Sequence, residues 1–162
     1  MKAKLTSLIA ALIICANAAA QTSPTAIAIN APDVVKTLSN LAPGTYDITI
    51  KGKIDTAQLN WKNGHVHSNW KVSENITINT LDMSQTTGID SIYDSDMFRL
   101  ENGFRRPTTF IIPNKTKYIN TEFMETVVAT PKNKYYKSEQ GLLLSKDGKT
   151  LHHLRIIDSR LI

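Results

Sequence analysis

The stretch ITINTLDM, residues 76–83, decides the fold class, because it opens a series of short apolar segments that continues almost to the end of the chain. The later segments cover residues 88–93, 109–112, 126–129, 142–144 and 150–154. The loops between them are rich in Asn, Lys, Asp and Ser. Short apolar runs bounded by turn residues are typical of β-strands. We therefore expect residues 76–162 to be rich in β structure.

The last two segments are joined by a loop that contains Asp147 and Gly148. An Asp-Gly pair between apolar runs is a strong local signal for a tight hairpin, since Gly adopts positive φ without a Cβ clash. We expect a β-hairpin with a primed turn here.

Three segments share the features of a repeat family. The first is LDMSQTTGI, residues 81–89, followed by Ser91, Ile92 and Phe98. The second is FIIPN, residues 110–114, with Ile119 and Phe123 after it, and residues 127–154 form a third unit with a hairpin. These segments resemble the BspA-like leucine-rich repeat surface proteins, in which a strand of the form L-D-x-S-x-T-T-G precedes units with an I-x-I-P-N core.

The resemblance implies a fold and a role. Each unit of such an array has one apolar face that it cannot bury alone, so neighbouring units stack. The implied fold is α+β: a small helix and strand cap, then a short leucine-rich-repeat-like, β-rich solenoid over residues 76–162 that ends in a β-hairpin. The implied role is surface recognition or adhesion, with a protein on host matrix or on neighbouring cells as the partner.

The first residues of the chain are typical of a secretory signal peptide. Lys2 and Lys4 form a positive start, residues 8–16 form a short apolar run, and small residues follow as far as Ala20. An A-x-A frame that ends at Ala20 predicts removal of residues 1–20 and a mature chain that begins at Gln21. The apolar run is too short to span a membrane, which takes about 20 residues. We therefore expect an exported protein with no spanning segment after signal removal.

Cys15 raises lipid modification as an alternative. Ile13 and Ile14 precede it, whereas a lipid-modified cysteine normally follows a small residue, so we favour the cleaved signal.

After the signal, residues 21–31 are rich in Ala, Thr, Ser and Pro without a clear period, which predicts a flexible leader. Residues 32–75 form the predicted α+β cap region. Its helix begins at Pro32, places Val34, Leu38 and Leu41 on one face, and ends before Gly44. Residues 45–51 then alternate apolar and polar side chains, as a half-buried strand does.

Residues 53–73 have no clear period. Trp61 and Trp70 lie nine positions apart, so one continuous helix would place them on opposite faces. Asn63 and Gly64 interrupt the segment, and we expect a bent helix, or a helix followed by a turn and extended chain.

Charge and composition narrow the function. The formal net charge of +5 falls to +3 without residues 1–20, far from the concentrated basic stripe of a nucleic-acid-binding protein. We expect no nucleic-acid partner. The single cysteine lies within the signal, so the mature chain is held together by its apolar core.

Catalytic patterns are missing from the sequence: it has no G-x-S-x-G, no H-E-x-x-H and no glycine-rich phosphate loop. We expect a non-enzyme without a cofactor. The four histidines form two pairs, His65 with His67 and His152 with His153. Because no cysteine supports them, we expect no metal site. The alternative function is a small periplasmic or secreted metal-binding or inhibitory protein, which would require the two pairs to lie together in space.

Six residues are candidates for contact with a partner: Tyr135, Tyr136, Trp61, Trp70, Arg105 and Arg106. Large aromatic side chains and arginines are common anchors of interfaces, although core packing explains large aromatics equally well. In Tyr135-Tyr136, one ring of an extended segment would face inward and the other outward. The lysines at positions 115, 117, 132, 134 and 137 are expected to be solvated.

Overall fold

The computed structural model describes residues 23–55, 59–62, 65–68, 70, 72–93, 99–100, 103–104, 106–120 and 124–154. The predicted signal peptide, residues 1–20, and Arg105 lie outside these residues. The described part is a mixed structure with one short α-helix and many strands. Within it, no helix combines the length and apolar character that membrane crossing requires.

The strands bear the following labels in chain order. They are β1 (Thr25–Asn30), β2 (Gly44–Lys53), β3 (Leu59–Lys62), β4 (His65–Ser68), β5 (Ile76–Thr87), β6 (Ser91–Tyr93), β7 (Arg99–Leu100), β8 (Gly103–Phe104), β9 (Thr109–Ile111), β10 (Tyr118–Asn120), β11 (Thr126–Val128), β12 (Tyr136–Glu139), β13 (Leu142–Ser145) and β14 (Leu151–Leu154).

The predicted N-terminal helix is confirmed. A 3-10 turn, Ala31–Asp33, with Pro32 in its first turn, leads into α1, Val34–Ser39. Val34 and Leu38 are buried, and Leu41 packs against the core just after the helix. The predicted strand over residues 45–51 is also confirmed, since it lies inside β2 and buries Tyr46, Ile48 and Ile50.

The flexible leader predicted over residues 21–31 is a correction. Residues 25–30 form β1, which pairs in parallel with β2 from Thr25 opposite Tyr46 to Asn30 opposite Lys51. Pairing with β2 and burial of Ile29 order a segment whose small side chains give no local signal.

The helix expected within residues 53–73 is wrong. β3 and β4 form an antiparallel pair in which Lys62 lies opposite His65, so two residues, Asn63 and Gly64, connect them. Asn-Gly is the preferred two-residue link of a hairpin, which makes it a stronger signal for paired strands than for a helix break.

The main sheet has five strands in the order β1-β2-β5-β9-β11, and every neighbouring pair is parallel. The spatial order therefore follows the chain order. A second, smaller sheet pairs β6 with β10, also in parallel. Each of these two strands follows a strand of the main sheet, β5 and β9 respectively, and four of the predicted apolar segments coincide with β5, β6, β9 and β11.

The core lies between these elements. Its fully buried side chains include Trp70, Ile76, Leu81, Met83, Phe110 and Ile112. Burial of an aliphatic or aromatic side chain of this size contributes about 1.5–3 kcal/mol to stability. These residues come from β5, β9 and the segments beside them, so the core joins the cap region to the later strands.

The chain ends in the antiparallel sheet β12-β13-β14, which confirms the predicted hairpin between residues 142–144 and 150–154. The primed turn lies elsewhere. Gln140 and Gly141, which link β12 to β13, both have positive φ, 51° and 81°, as a type I′ turn requires.

The loop from Ser145 to Thr150 is a different turn. The Gly148 amide donates to the Ser145 carbonyl at 2.8 Å, and Gly148 alone in this loop has positive φ. The Ser145 hydroxyl, and then the Lys149 amide, donate to the Asp147 carboxylate and lower the pKa of that carboxyl below its ordinary value.

Candidate functional site

Two neighbouring strands of the main sheet lead into matching surface segments. β9 and β11 pair with Thr109 opposite Thr126, a step of 17 residues. The sequence Lys-x-Lys-Tyr follows each strand, at residues 115–118 and 132–135, and these two copies are also 17 residues apart. The repetition in sequence therefore coincides with the register of the sheet.

The two copies share one turn geometry. The Thr116 amide donates to the Pro113 carbonyl at 3.2 Å, and the Asn133 amide donates to the Thr130 carbonyl at 2.9 Å. Both bonds close a four-residue turn, and they too are offset by 17 residues. Equivalent residues consequently occupy equivalent places on the surface.

Burial follows the same pattern in both copies. The middle residue of each motif points inward, with Thr116 0% and Asn133 1% exposed. All four lysines are exposed. The tyrosines are exposed as well, Tyr118 at 64% and Tyr135 at 39%. We define the Lys-Tyr surface as Lys115, Lys117, Tyr118, Lys132, Lys134 and Tyr135.

Asn133 holds the two turns together. Its side-chain amide donates to the Pro113 carbonyl at 2.9 Å, and its side-chain oxygen accepts from the amides of Tyr135 and Tyr136 at 2.9 and 2.8 Å. The Lys134 amide adds a bond to the Asn114 carbonyl at 3.3 Å. These bonds fix the backbone that carries the exposed side chains.

Tyr136 supports the surface from behind. Its hydroxyl donates to the Lys117 carbonyl at 2.7 Å, and its ring meets that of His152 edge to face, with 4.9 Å between centroids. Burial, and to a smaller extent the nearby Tyr118 phenol, raises the pKa of Tyr136 above its ordinary value. A neutral hydroxyl is therefore retained as the donor to Lys117.

The motif is confined to these two units. In the preceding unit, β6 pairs with β10 with Ser91 opposite Tyr118, so Asp90 aligns with Lys117. The Asp90 carbonyl accepts from the amides of Lys117 and Tyr118 at 2.7 and 3.1 Å. The backbone contact between units is thus kept there, whereas the lysine and tyrosine side chains are not.

Charge is concentrated in this part of the chain. Residues 106–154 carry eight basic and four acidic side chains, whereas the rest of the chain after residue 20 carries nine basic and ten acidic ones. Lys137 pairs with Glu139 at 3.1 Å, and the Lys146 ammonium donates to the carbonyls of Pro131 and Asn133. No carboxylate of the described residues pairs with a lysine of the Lys-Tyr surface.

The structure separates the residues predicted to contact a partner. Tyr135 is exposed on the Lys-Tyr surface, and Arg106 is exposed ahead of β9. Tyr136 and Trp70 are core residues, 4% and 1% exposed, which corrects their assignment as anchors because a buried ring offers no surface to a partner. The backbone of Trp61 lies in β3, whereas its side chain is outside the described residues, as is Arg105.

The histidine pairs fall in different strands, β4 and β14. His153 is buried, with its Nε2 3.4 Å from the Glu125 carbonyl, and His152 packs against Tyr136. The side chains of His65 and His67 lie outside the described residues. Within the described part of the chain, His, Cys, Asp and Glu side chains nowhere come together as a group of three able to hold a metal.

Sequence reasoning assigned the lysines to solvent singly and missed their alignment. The available signal was the 17-residue repetition of Lys-x-Lys-Tyr, which becomes informative once β9 and β11 are known to pair with the same step. Searches with protein-family models, with curated proteins and with solved structures find no match to this chain.

Proposed function

We propose that this chain is an exported, non-catalytic binding protein that recognises an acidic partner on host matrix or neighbouring cells through the Lys-Tyr surface. One observation carries the proposal: the same Lys-x-Lys-Tyr motif occupies the same turn beside two strands that pair in register. The non-catalytic part rests on the sequence, which has no recognisable catalytic motif.

The proposed architecture is a short leucine-rich-repeat-like array. The parallel pairing of β5, β9 and β11, together with the parallel pair β6 and β10, supports it. The sheet β12-β13-β14 would cover the last unit, where the Ala129 amide donates to the Ser138 hydroxyl at 2.7 Å. Stacked units place side chains of successive turns in line, as extended binding surfaces need.

Electrostatics supports a binding role for the aligned lysines. Neighbouring strands lie about 4.8 Å apart, so equivalent lysines on successive turns repel each other. Two like charges at about 4 Å still repel by about 1 kcal/mol in water. An anionic partner placed between them removes this repulsion and converts it into attraction.

The test measures binding of the chain from Gln21 onward to extracellular matrix laid down by cultured cells and to whole bacterial cells. The key variant carries Lys115→Gln with Lys132→Gln. The matched control carries Lys51→Gln with Lys53→Gln, which removes another exposed Lys-x-Lys pair, on β2 and outside the surface.

We expect saturable binding to at least one of these surfaces, weakened by the key variant and unchanged by the control. Equal loss in both variants would replace the Lys-Tyr surface with a general effect of net charge. No binding to any surface by the folded protein would overturn the proposed function.

A further inference from the structure

We infer that the ligand of the Lys-Tyr surface is a linear polysaccharide bearing carboxylate or sulfate groups. This inference rests on the proposed function and names the chemistry of its partner.

The choice of cation argues against a protein partner. The Lys-Tyr surface has four lysines and no arginine. Cores of protein interfaces are depleted in Lys and enriched in Arg, which supplies bidentate contacts to carboxylates. Lys instead presents a compact charge on a flexible stem, which suits anionic groups whose position varies along a polymer.

Total charge argues against nucleic acid. A chain with a net charge of +3 after residue 20 has few cations in reserve beyond this surface. Non-specific nucleic-acid binding depends on the neutralisation of many phosphates, and specific contacts to bases rely heavily on Arg.

The tyrosines account for the sugar. One exposed phenol stands directly after the second lysine of each motif, at Tyr118 and at Tyr135. An aromatic ring offers an apolar face to the C–H face of a pyranose and a hydroxyl to its polar groups. Repetition of a cation pair and a ring at the strand spacing fits a ligand that is itself a repeating chain of rings and charges.

The arrangement also sets the expected strength. Each exposed ion pair contributes little, so the affinity is modest and falls as salt rises. Heparin serves as the sulfated probe, hyaluronate as the carboxylated probe and dextran as the neutral one. Poly-glutamate and single-stranded DNA represent the protein and nucleic-acid alternatives.

The experiment is isothermal titration of each probe into the protein at about 50 and 300 mM salt. We expect heparin or hyaluronate to bind at the lower salt and dextran not to bind. Lys115→Gln with Lys132→Gln should weaken that binding about tenfold, and Lys51→Gln with Lys53→Gln should leave it within about twofold. Tyr118→Ala should weaken binding of the polysaccharide and leave that of poly-glutamate unchanged, which separates ring stacking from charge. All variants are first matched to the parent by circular dichroism and thermal melting.

Two results would overturn the inference. One is binding of poly-glutamate or DNA as tight as that of the polysaccharides at equal charge concentration. The other is an intact affinity for the polysaccharide in Tyr118→Ala. Matrix stripped of its anionic polysaccharides by enzymes separates the two proposals, since binding that persists and still needs Lys115 and Lys132 leaves the proposed function standing and removes only this ligand.

Discussion

At the scale of single residues, Thr116 and Asn133 show how one position in the repeat has two different hydrogen-bonding states. Both side chains are buried beneath the Lys-Tyr surface. Asn133 makes three side-chain bonds to the backbone, whereas the Thr116 hydroxyl has no hydrogen-bond partner among the described residues.

We expect Asn133→Ala to lower the free energy of unfolding by about 2–4 kcal/mol, because it leaves a buried carbonyl and two amides without partners. Thr116→Val is the matched control, and it should leave stability unchanged or raise it by about 1 kcal/mol, since it removes an unpaired hydroxyl at constant shape. Urea denaturation measures both. A larger loss in Thr116→Val than in Asn133→Ala would reverse the assignment of the two positions.

The pKa of Tyr136 predicts how stability changes at alkaline pH. Burial, with a smaller effect of Tyr118, raises this pKa above 10.0, so just above pH 10.0 the unfolded chain has lost a proton that the folded chain keeps. The folded state binds more protons there, and stability falls as pH rises.

We expect the free energy of unfolding to fall more steeply between about pH 9 and 11 in the parent than in Tyr136→Phe. Tyr135→Phe, which alters the exposed neighbour, should keep the parent's slope. Denaturant titrations across this range give the slopes, and identical slopes in all three proteins would show that Tyr136 does not contribute.

At the scale of elements, the corner after β5 depends on Gly88. The Ile54 amide donates to the Thr87 carbonyl at 2.9 Å and draws the segment after β2 against this corner. Gly88 has a φ of 89°, and a Cβ there would lie 2.6 Å from the Ile54 carbonyl oxygen. Backbone on both sides leaves no flexible atom to move.

We therefore expect Gly88→Ala to destabilise the protein more than Gly148→Ala. Gly148 has a similar φ of 78°, but its added Cβ would meet the mobile end of Lys137 at 3.1 Å. The backbone conformation alone costs about 1–2 kcal/mol in each case, and the clash at Gly88 adds about 1–3 kcal/mol. Thermal melts provide the comparison, and equal losses would mean that the Ile54 segment can retreat.

How much could be predicted depended on whether an element carries a local signal. The alternation in residues 45–51 and the short apolar segments from residue 76 onward predicted their strands because one face of each is buried. β1 has no such signal, since its ordering comes from pairing with β2. The β3-β4 hairpin was missed because Asn63-Gly64 was interpreted as a helix break.

The candidate site was less predictable than the strands. Tyr135 was identified from its position beside Tyr136, but the alignment of the four lysines needs the register between β9 and β11, which is a tertiary property. Residues that are distant in sequence become one surface only when that register is known.

At the scale of the whole molecule, the start of the folded part agrees with the proposed export signal. β1 begins at Thr25, so removal of residues 1–20 would leave four residues ahead of the first strand and would not shorten the sheet. We expect exported protein to begin at Gln21, and intact-mass measurement of secreted material checks this. A mature chain that still carries residues 1–20, or one that begins at a lipid-bearing Cys15, would contradict it.

The shared 17-residue step of strand and turn also makes the molecule extensible. A tandem duplication within the gene that copies residues 113–129 would insert one whole increment, with its own strand, turn, lysine pair and tyrosine, and every increment on either side would keep its neighbour's geometry. The terminal sheet β12-β13-β14 would simply move outward by about 4.8 Å. Gene length would then act as a ruler for the length of polymer that the protein can hold.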